Sequence, residues 1–451
     1  MKLFARPKYF SEAIAPVTTF NCILGLRAFE YPRGHPRPIL SLIYLSFVYI
    51  IYCSGEFLMG TKYYSNLNLM KLEYVLYRIM MYVIIVSVLL KMILGWWHTK
   101  KFKACHKRIF EIDATLRQLG LTMNYTGLYF MTIGTIIVWI TVVFIMCTVV
   151  FIHLQINTDA LTAIYLGLIY TFSMSVNSIN FFEFYIFARC LKTKFGLINQ
   201  LLRESLTDSS VEEMKLGIFE MKDFTEIMVA DHRKQVAATK IFRRRLQNKN
   251  QLGNALQNKS PPSHNSAMTT CQKRTYLLQI IKQVHLELCK ISKIVCAVLG
   301  VQTAWEIGLI IAFLTGSLYN LYIRYVMNQH HVVGVIEDTF LTMSMCFIQI
   351  IKAIFLNRIC KHTTDEGNRT IEIIHEIYGC DADIDMQEEI QQFGIQILQS
   401  PVTFSAFGLT LNNRIFSMIL KTVTTYLVIM IQVSNTLESN KSIKYSHLEG
   451  S

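Results

Sequence analysis

Thr425-Tyr426-Leu427-Val428-Ile429-Met430-Ile431-Gln432 decides how this chain is read. Five apolar residues separate a Thr-Tyr pair from a glutamine, all within an apolar block, 414–434, long enough to cross a bilayer. An amide at membrane depth is costly unless it meets a partner or water. A helix that keeps one therefore lines something wet or packs against another protein helix. Thr422, Thr425, Ile429 and Gln432 recur at helical spacing and share one face, while Tyr426 points elsewhere. Two accounts fit that face. Small hydroxyl side chains allow close helix packing, with Gln432 bonded to a neighbour, or the stripe lines a pore. Lys421, beside Thr422, is awkward for a cation path unless it turns away or snorkels to the interface.

Working outward, six more blocks have membrane length: about 38–58, 74–97, 127–153, 162–188, 294–323 and 334–357. Asn177, Asn180 and Glu183 interrupt the fourth, and Glu337 and Asp338 sit near the start of the sixth. The chain of 451 residues is 52% apolar and only 17% charged, against about 25% in a soluble domain. The expected fold class is an all-α membrane protein with seven transmembrane helices; the block lengths exclude an apolar soluble bundle.

Lys and Arg set the orientation. Lys2, Arg6, Lys8, Arg27, Arg33 and Arg37 precede the first block, and Lys100, Lys101, Lys103, Lys107, Arg108 and Arg117 follow the second. The stretch 59–73 holds only Lys62 and Lys71, and 154–161 has none. The N-terminus is therefore expected in the cytoplasm and the tail outside, the reverse of a G-protein-coupled receptor. The net charge of +13 follows from the same rule and implies no nucleic-acid partner. Met1 to Pro7 is basic without an apolar stretch, so it does not read as a cleavable signal, and the first block directs insertion.

These segments divide the chain. A cytoplasmic arm, 1–37, leads to helices one to four over 38–189. A cytoplasmic loop, 190–293, carries Arg243-Arg244-Arg245 and a polar tract, about 250–275, that reads as disordered between helical extensions of its neighbours. Helices five and six occupy 294–357. In the cytoplasmic segment 358–413, Met386, Ile390, Phe393 and Ile397 mark an amphipathic helix over 385–398, ended at Ser400-Pro401. The last helix, 414–434, is followed by an outer tail, 435–451, with the sequon Asn440-Lys441-Ser442. No internal repeat points to an inverted-repeat transporter.

Nothing points to catalysis or a cofactor: there is no HExxH, no phosphate loop and no nucleophile elbow. Cys360, His362, His375 and Cys380 have metal-like content, but such pairs arise by chance in a chain with 12 His and 11 Cys, and no metal is expected. The cysteines are scattered, mostly inside the blocks, and suggest no disulfide framework. His330-His331 falls in an outer loop and reads as solvated.

Thr425-Tyr426, five apolar residues and Gln432 resemble the C-terminal signature of insect gustatory receptors, Thr-Tyr-five apolar-Gln-Phe, with Val433 where that family has Phe. Ala406-Phe407-Gly408-Leu409 with Asn412-Asn413-Arg414 resembles the lead into the family's last helix, and Ala15-Pro16-Val17-Thr18 with Leu24-Gly25-Leu26 and Phe29 resembles the opening of several members. The layout agrees along the whole chain; the motifs concentrate in 386–433. The resemblance implies a tetrameric, ligand-gated, non-selective cation channel similar to insect odorant receptors. The last helices would ring a central pore, with Gln432 at the outer gate and the smaller Val433 in the place of the gate Phe. The segment 358–413 would belong to a cytoplasmic anchor. A small tastant would enter an outward-facing pocket, for which orientation suggests Tyr77, Arg78, Trp139, Tyr170, Ser173, Tyr319 and Thr342. Aromatic residues in such helices also form cores and interfacial belts. The implied partners are a tastant, permeant cations, membrane lipid and other gustatory subunits, in the plasma membrane of a sensory dendrite. A metabotropic seven-helix receptor, or an obligate partner subunit silent on its own, is the alternative.

Overall fold

The computed structural model describes residues 7–28, 37–63, 71–155, 158–204, 270–326, 335–378, 384–406 and 408–449. Arg243-Arg244-Arg245, His330-His331, Cys380 and most of the polar tract 250–275 lie outside them, although 270–275 are helical. Ten α-helices are described, α1 (Phe10–Ala13), α2 (Ala15–Ile23), α3 (Pro38–Leu58), α4 (Lys71–Gln118), α5 (Thr126–Gln155), α6 (Ala160–Glu204), α7 (Thr270–Val326), α8 (Val335–Tyr378), α9 (Ile384–Gln399) and α10 (Asn413–Glu449), with a π-helical turn, Met59–Tyr63, continuing α3. A small antiparallel hairpin, β1 (Ser405–Ala406) with β2 (Leu409–Thr410), precedes α10. Seven helices, α3 to α8 and α10, are long and apolar enough to cross a membrane.

Length shows which parts can lie in lipid. The 48 residues of α4 extend about 72 Å at ~1.5 Å per residue, over twice the ~30 Å hydrocarbon core. Its apolar portion stops near Trp97, and the polar remainder runs on past the end that the charge asymmetry assigns to the cytoplasm, the inner end. The helices α6, α7 and α8 also extend beyond their apolar blocks. On the outside of the bundle Ile39, Ile43, Phe47, Phe57 and Phe144 are exposed, as a lipid-facing surface requires.

Local sequence sets the helix ends. Pro38 opens α3, where its missing N–H has no intrahelical partner to lose. Gly120 closes α4 with φ 82°: its N–H donates to the Arg117 carbonyl at 3.1 Å, and that of Leu121 to Leu116 at 2.9 Å. Gly25 closes α2 in the same way with φ 75°, Gly25 N–H to Cys22 O and Leu26 N–H to Asn21 O. That second cap turns the arm back towards α4.

The core is built around α6, which packs against α3, α4, α5, α7 and α8. Val176, Phe184, Phe187, Leu191 and Phe195 on it are wholly buried. At the inner end, α9 buries Met386, Ile390, Phe393 and Ile397 against α7 and α8. Glu389 on its rim accepts from Lys282 and, at 2.9 Å, from Gln279. Burial raises the pKa of Glu389, but these two donors outweigh it and hold the carboxyl below its ordinary value of 4.5.

Candidate pore helix, outer cluster and inner charge cluster

On α10, Ile415, Ile419, Val423 and Ser434 are buried at helical spacing, and the helix packs on α7 and α8. Up to Thr436, much of the rest of its surface is exposed or half-buried. Thr425, Ile429, Gln432 and Val433 are exposed and Thr422 is half-buried, so the residues of the polar stripe face away from their own bundle. Thr425 satisfies its hydroxyl locally by donating to the Lys421 carbonyl at 2.9 Å, which leaves the Gln432 amide as the long polar side chain on that face. Tyr426 is 54% exposed, and Lys421 is exposed too. Asn440 lies on the far end of α10, among residues whose side chains fall outside the description.

The seven residues suggested for a ligand pocket fall into separate groups. Tyr170 and the buried Ser173 on α6 face Tyr52 and Glu56 on α3. Tyr170 also packs on the small cluster of Val150, Leu154, Ala163 and Leu166, as does Leu341 of α8. Thr342, next to Leu341, is half-buried. Glu56 and Tyr52 are the residues here that sequence reasoning missed. Glu56 is buried and, among the described residues, forms no ion pair. Tyr77 belongs to a different junction, where its hydroxyl accepts from Asn320 of α7 at 2.9 Å, and Tyr319 is buried next to that asparagine. Arg78 is exposed, its guanidinium 5.6 Å from the Tyr74 ring. Trp139 is buried edge-to-face on Phe182 at 5.3 Å, towards the inner half and away from Tyr170. Cys360 is wholly buried whereas His362 and His375 are exposed, and among the described residues no His/Cys/Asp/Glu group is placed to hold a metal.

Nearer the inner end, the charges that interrupt the apolar blocks meet. Lys91 of α4 and Lys352 of α8 both donate to Glu306 of α7, one to each carboxylate oxygen. Lys91 also donates to the side-chain and backbone oxygens of Asn177 on α6, at 2.7 and 3.3 Å, and Ser87 donates to the same side chain at 3.1 Å. Lys352 donates again to Gln349 at 3.2 Å. All three charged residues are at least nine-tenths buried. The cluster borders a small cavity of about 20 Å³, room for at least one water-sized species. Its other walls include Asn180, Gln302 and, from the foot of α10, Ile415 and Ile419. The sequence held the signal, one charge inside each of three apolar blocks, but no means of pairing them.

Two further locks fix the inner end. Arg27 donates to Glu183 at 2.7 Å and to the Gly95 carbonyl at 3.4 Å, with its guanidinium 3.3 Å from the Phe102 ring centre. Asn21 donates to the same carboxylate at 3.1 Å. About three turns of α6 further in, Lys194 and Tyr125 both donate to Asp113. Such pairs add little net stability over apolar packing but are costly to break singly. Their effect is to specify which helices adjoin.

A family profile described as "7tm Chemosensory receptor" matches residues 14–225 and 236–436 of this chain. No curated protein matches it. Among solved structures, the insect olfactory receptor OR5 from Machilis hrabei, in complex with eugenol, is similar with a TM-score of 0.59. That likeness covers 94% of this chain and 98% of that one at 10% identity, a likeness of fold.

Proposed function

Because the chain belongs to the 7tm chemosensory receptor family, we propose that it is a gustatory-class subunit of a ligand-gated, non-selective cation channel in the plasma membrane. The observation that carries this reading is the open face of α10. A membrane-length helix packs one side on its own bundle and leaves Thr425 and Gln432 exposed on the other. Polar side chains at that depth are tolerated against protein or water and not against lipid. Four copies of α10 around an axis give them both. The Thr425-Tyr426 to Gln432 spacing supports the gustatory over the olfactory class.

In this reading a small tastant binds in the outer half, where Tyr52, Glu56, Tyr170 and Ser173 gather between α3 and α6. A ligand that binds this cluster more tightly in the open state shifts the population towards it, by no more than its differential affinity. The opening is a movement of α10 away from the axis, relaxing a constriction at Gln432 and Val433.

The test is whole-cell recording from cells expressing the chain alone, against a tastant panel. Ligand-evoked, cation-selective current within milliseconds is expected. Current that appears only with a second subunit makes the chain an obligate partner. An N-terminal tag that antibody reaches in intact cells, with responses dependent on G proteins, rejects the channel reading in favour of a metabotropic one.

A further inference from the structure

We propose that the inner cavity between α4, α6, α7, α8 and the foot of α10 is a binding site for one small monovalent anion of halide size. The first argument is charge. Two ammonium groups, Lys91 and Lys352, share the single carboxylate of Glu306, and both of its oxygens are taken. No second carboxylate lines the cavity. With both lysines protonated the cluster carries one excess positive charge at membrane depth, strongly unfavourable unless a proton is lost or an anion offsets it.

The second argument is the supply of donors. Lys91 spends its three N–H groups on Glu306 and on the two oxygens of Asn177. Lys352 spends two, on Glu306 and Gln349, and keeps one. Asn180, 8% exposed, has an amide nitrogen with no partner and lines the same cavity. Gln302, 4% exposed, is oriented with its amide oxygen unpartnered, and a flip about its terminal bond presents its NH₂ instead. One ammonium N–H and one or two amide groups around an excess positive charge make a site for an anion.

The third argument is size. The cavity of about 20 Å³ has room for a species at least the size of a water molecule, and Ile307, Ile310, Ile415 and Ile419 wall it with hydrocarbon. Hydrocarbon walls and a small volume favour a weakly hydrated, spherical, monovalent anion over a bulky or strongly hydrated one. Because Ile415 and Ile419 belong to α10 and the charges to α4, α7 and α8, an anion held there ties the last helix to the bundle. This inference rests on the inner cluster and does not depend on the ligand or the channel reading.

The experiment is thermal unfolding of the purified full-length protein in detergent, titrated with sodium chloride against sodium gluconate at constant ionic strength. The wild-type midpoint is expected to rise saturably with chloride and bromide and not with gluconate. Lys352→Met leaves Lys91 and Glu306 as a balanced pair and should fold, while abolishing the halide dependence. Asn180→Leu keeps all three charges and should weaken the apparent halide affinity about tenfold, the loss of one hydrogen bond to an ion. A wild-type midpoint indifferent to chloride, as expected if a water molecule bridges Asn180 and Gln302, overturns the proposal. So does an equal halide response in Lys352→Met, which would make the effect non-specific.

Discussion

Arg27 and Glu183 stand 156 positions apart in the chain, and their side chains meet at 2.7 Å in a buried contact. The contact follows from a chain of local causes. Gly25 takes the left-handed conformation that ends α2. The turn brings the Leu26 carbonyl against α4 at Gly95 and aims Arg27 between α4 and α6, across the face of Phe102. Residues 7–28 of the arm are in this way a structural part of the bundle.

Removing one partner leaves the other buried and unpaired. Arg27→Ala should lower stability by about 3–5 kcal/mol, seen as a fall in the thermal midpoint of the purified protein and in surface delivery. Arg27→Lys should recover only part of it, because Lys cannot reach Gly95 and Glu183 while stacking on Phe102. A midpoint for Arg27→Ala within a degree of wild type would show that the arm contributes nothing.

Gly95 tests the same docking through the backbone. A Cβ built there lies 2.1 Å from the Leu26 carbonyl oxygen, so Gly95→Ala must push the arm off α4. Gly134→Ala on α5 is the control, since nothing lies within 4 Å of its added methyl and the helix gains up to ~1 kcal/mol. Expected are a strongly destabilised Gly95→Ala and a neutral or stabilised Gly134→Ala; equal behaviour of the two would reject the close approach.

Gln432→Ala separates the two accounts of α10. If the amide lines a pore, the variant should assemble normally and change ion selectivity or basal current. If it is packing glue, its loss costs about 0.6–2 kcal/mol of association with conductance unchanged. The pore outcome is expected, with Thr425→Ala showing a weaker version because that hydroxyl is already satisfied by Lys421. Single-channel recording combined with quantified surface assembly decides.

Glycan mapping checks orientation. Asn440 is expected to be modifiable, whereas Asn124, Asn258 and Asn368 are not. Asn368 in addition is tied to Val402 through both amide atoms, at 3.3 and 3.0 Å. Sugar on Asn124, Asn258 or Asn368 would invert the topology.

The seven helices follow from the amino-acid sequence alone. An apolar run of about 20 residues has one stable arrangement in lipid, because every backbone polar group must be satisfied within its own helix. The amphipathic helix was equally legible: Met386, Ile390, Phe393 and Ile397 recur at helical period and are the residues that α9 buries. The polar stripe of α10 was legible as one helix face, but whether that face packs on a neighbour or lies open was not.

Which helices adjoin and which buried charges meet depends on how the helices pack in three dimensions. Asn177, Asn180 and Glu183 read as interruptions of one apolar block, yet they serve three purposes. Asn177 holds Lys91, Glu183 holds Arg27, and Asn180 borders the inner cavity. Trp139 and Tyr170, both aromatic residues in mid-block, part company for a similar reason: one packs inward on Phe182 and the other lies near Glu56. Helical period fixes the face a side chain occupies, but not the neighbour across the gap. Lys91, Glu306 and Lys352 come from three helices far apart in sequence, and their pairing exists only once those helices have packed around α6.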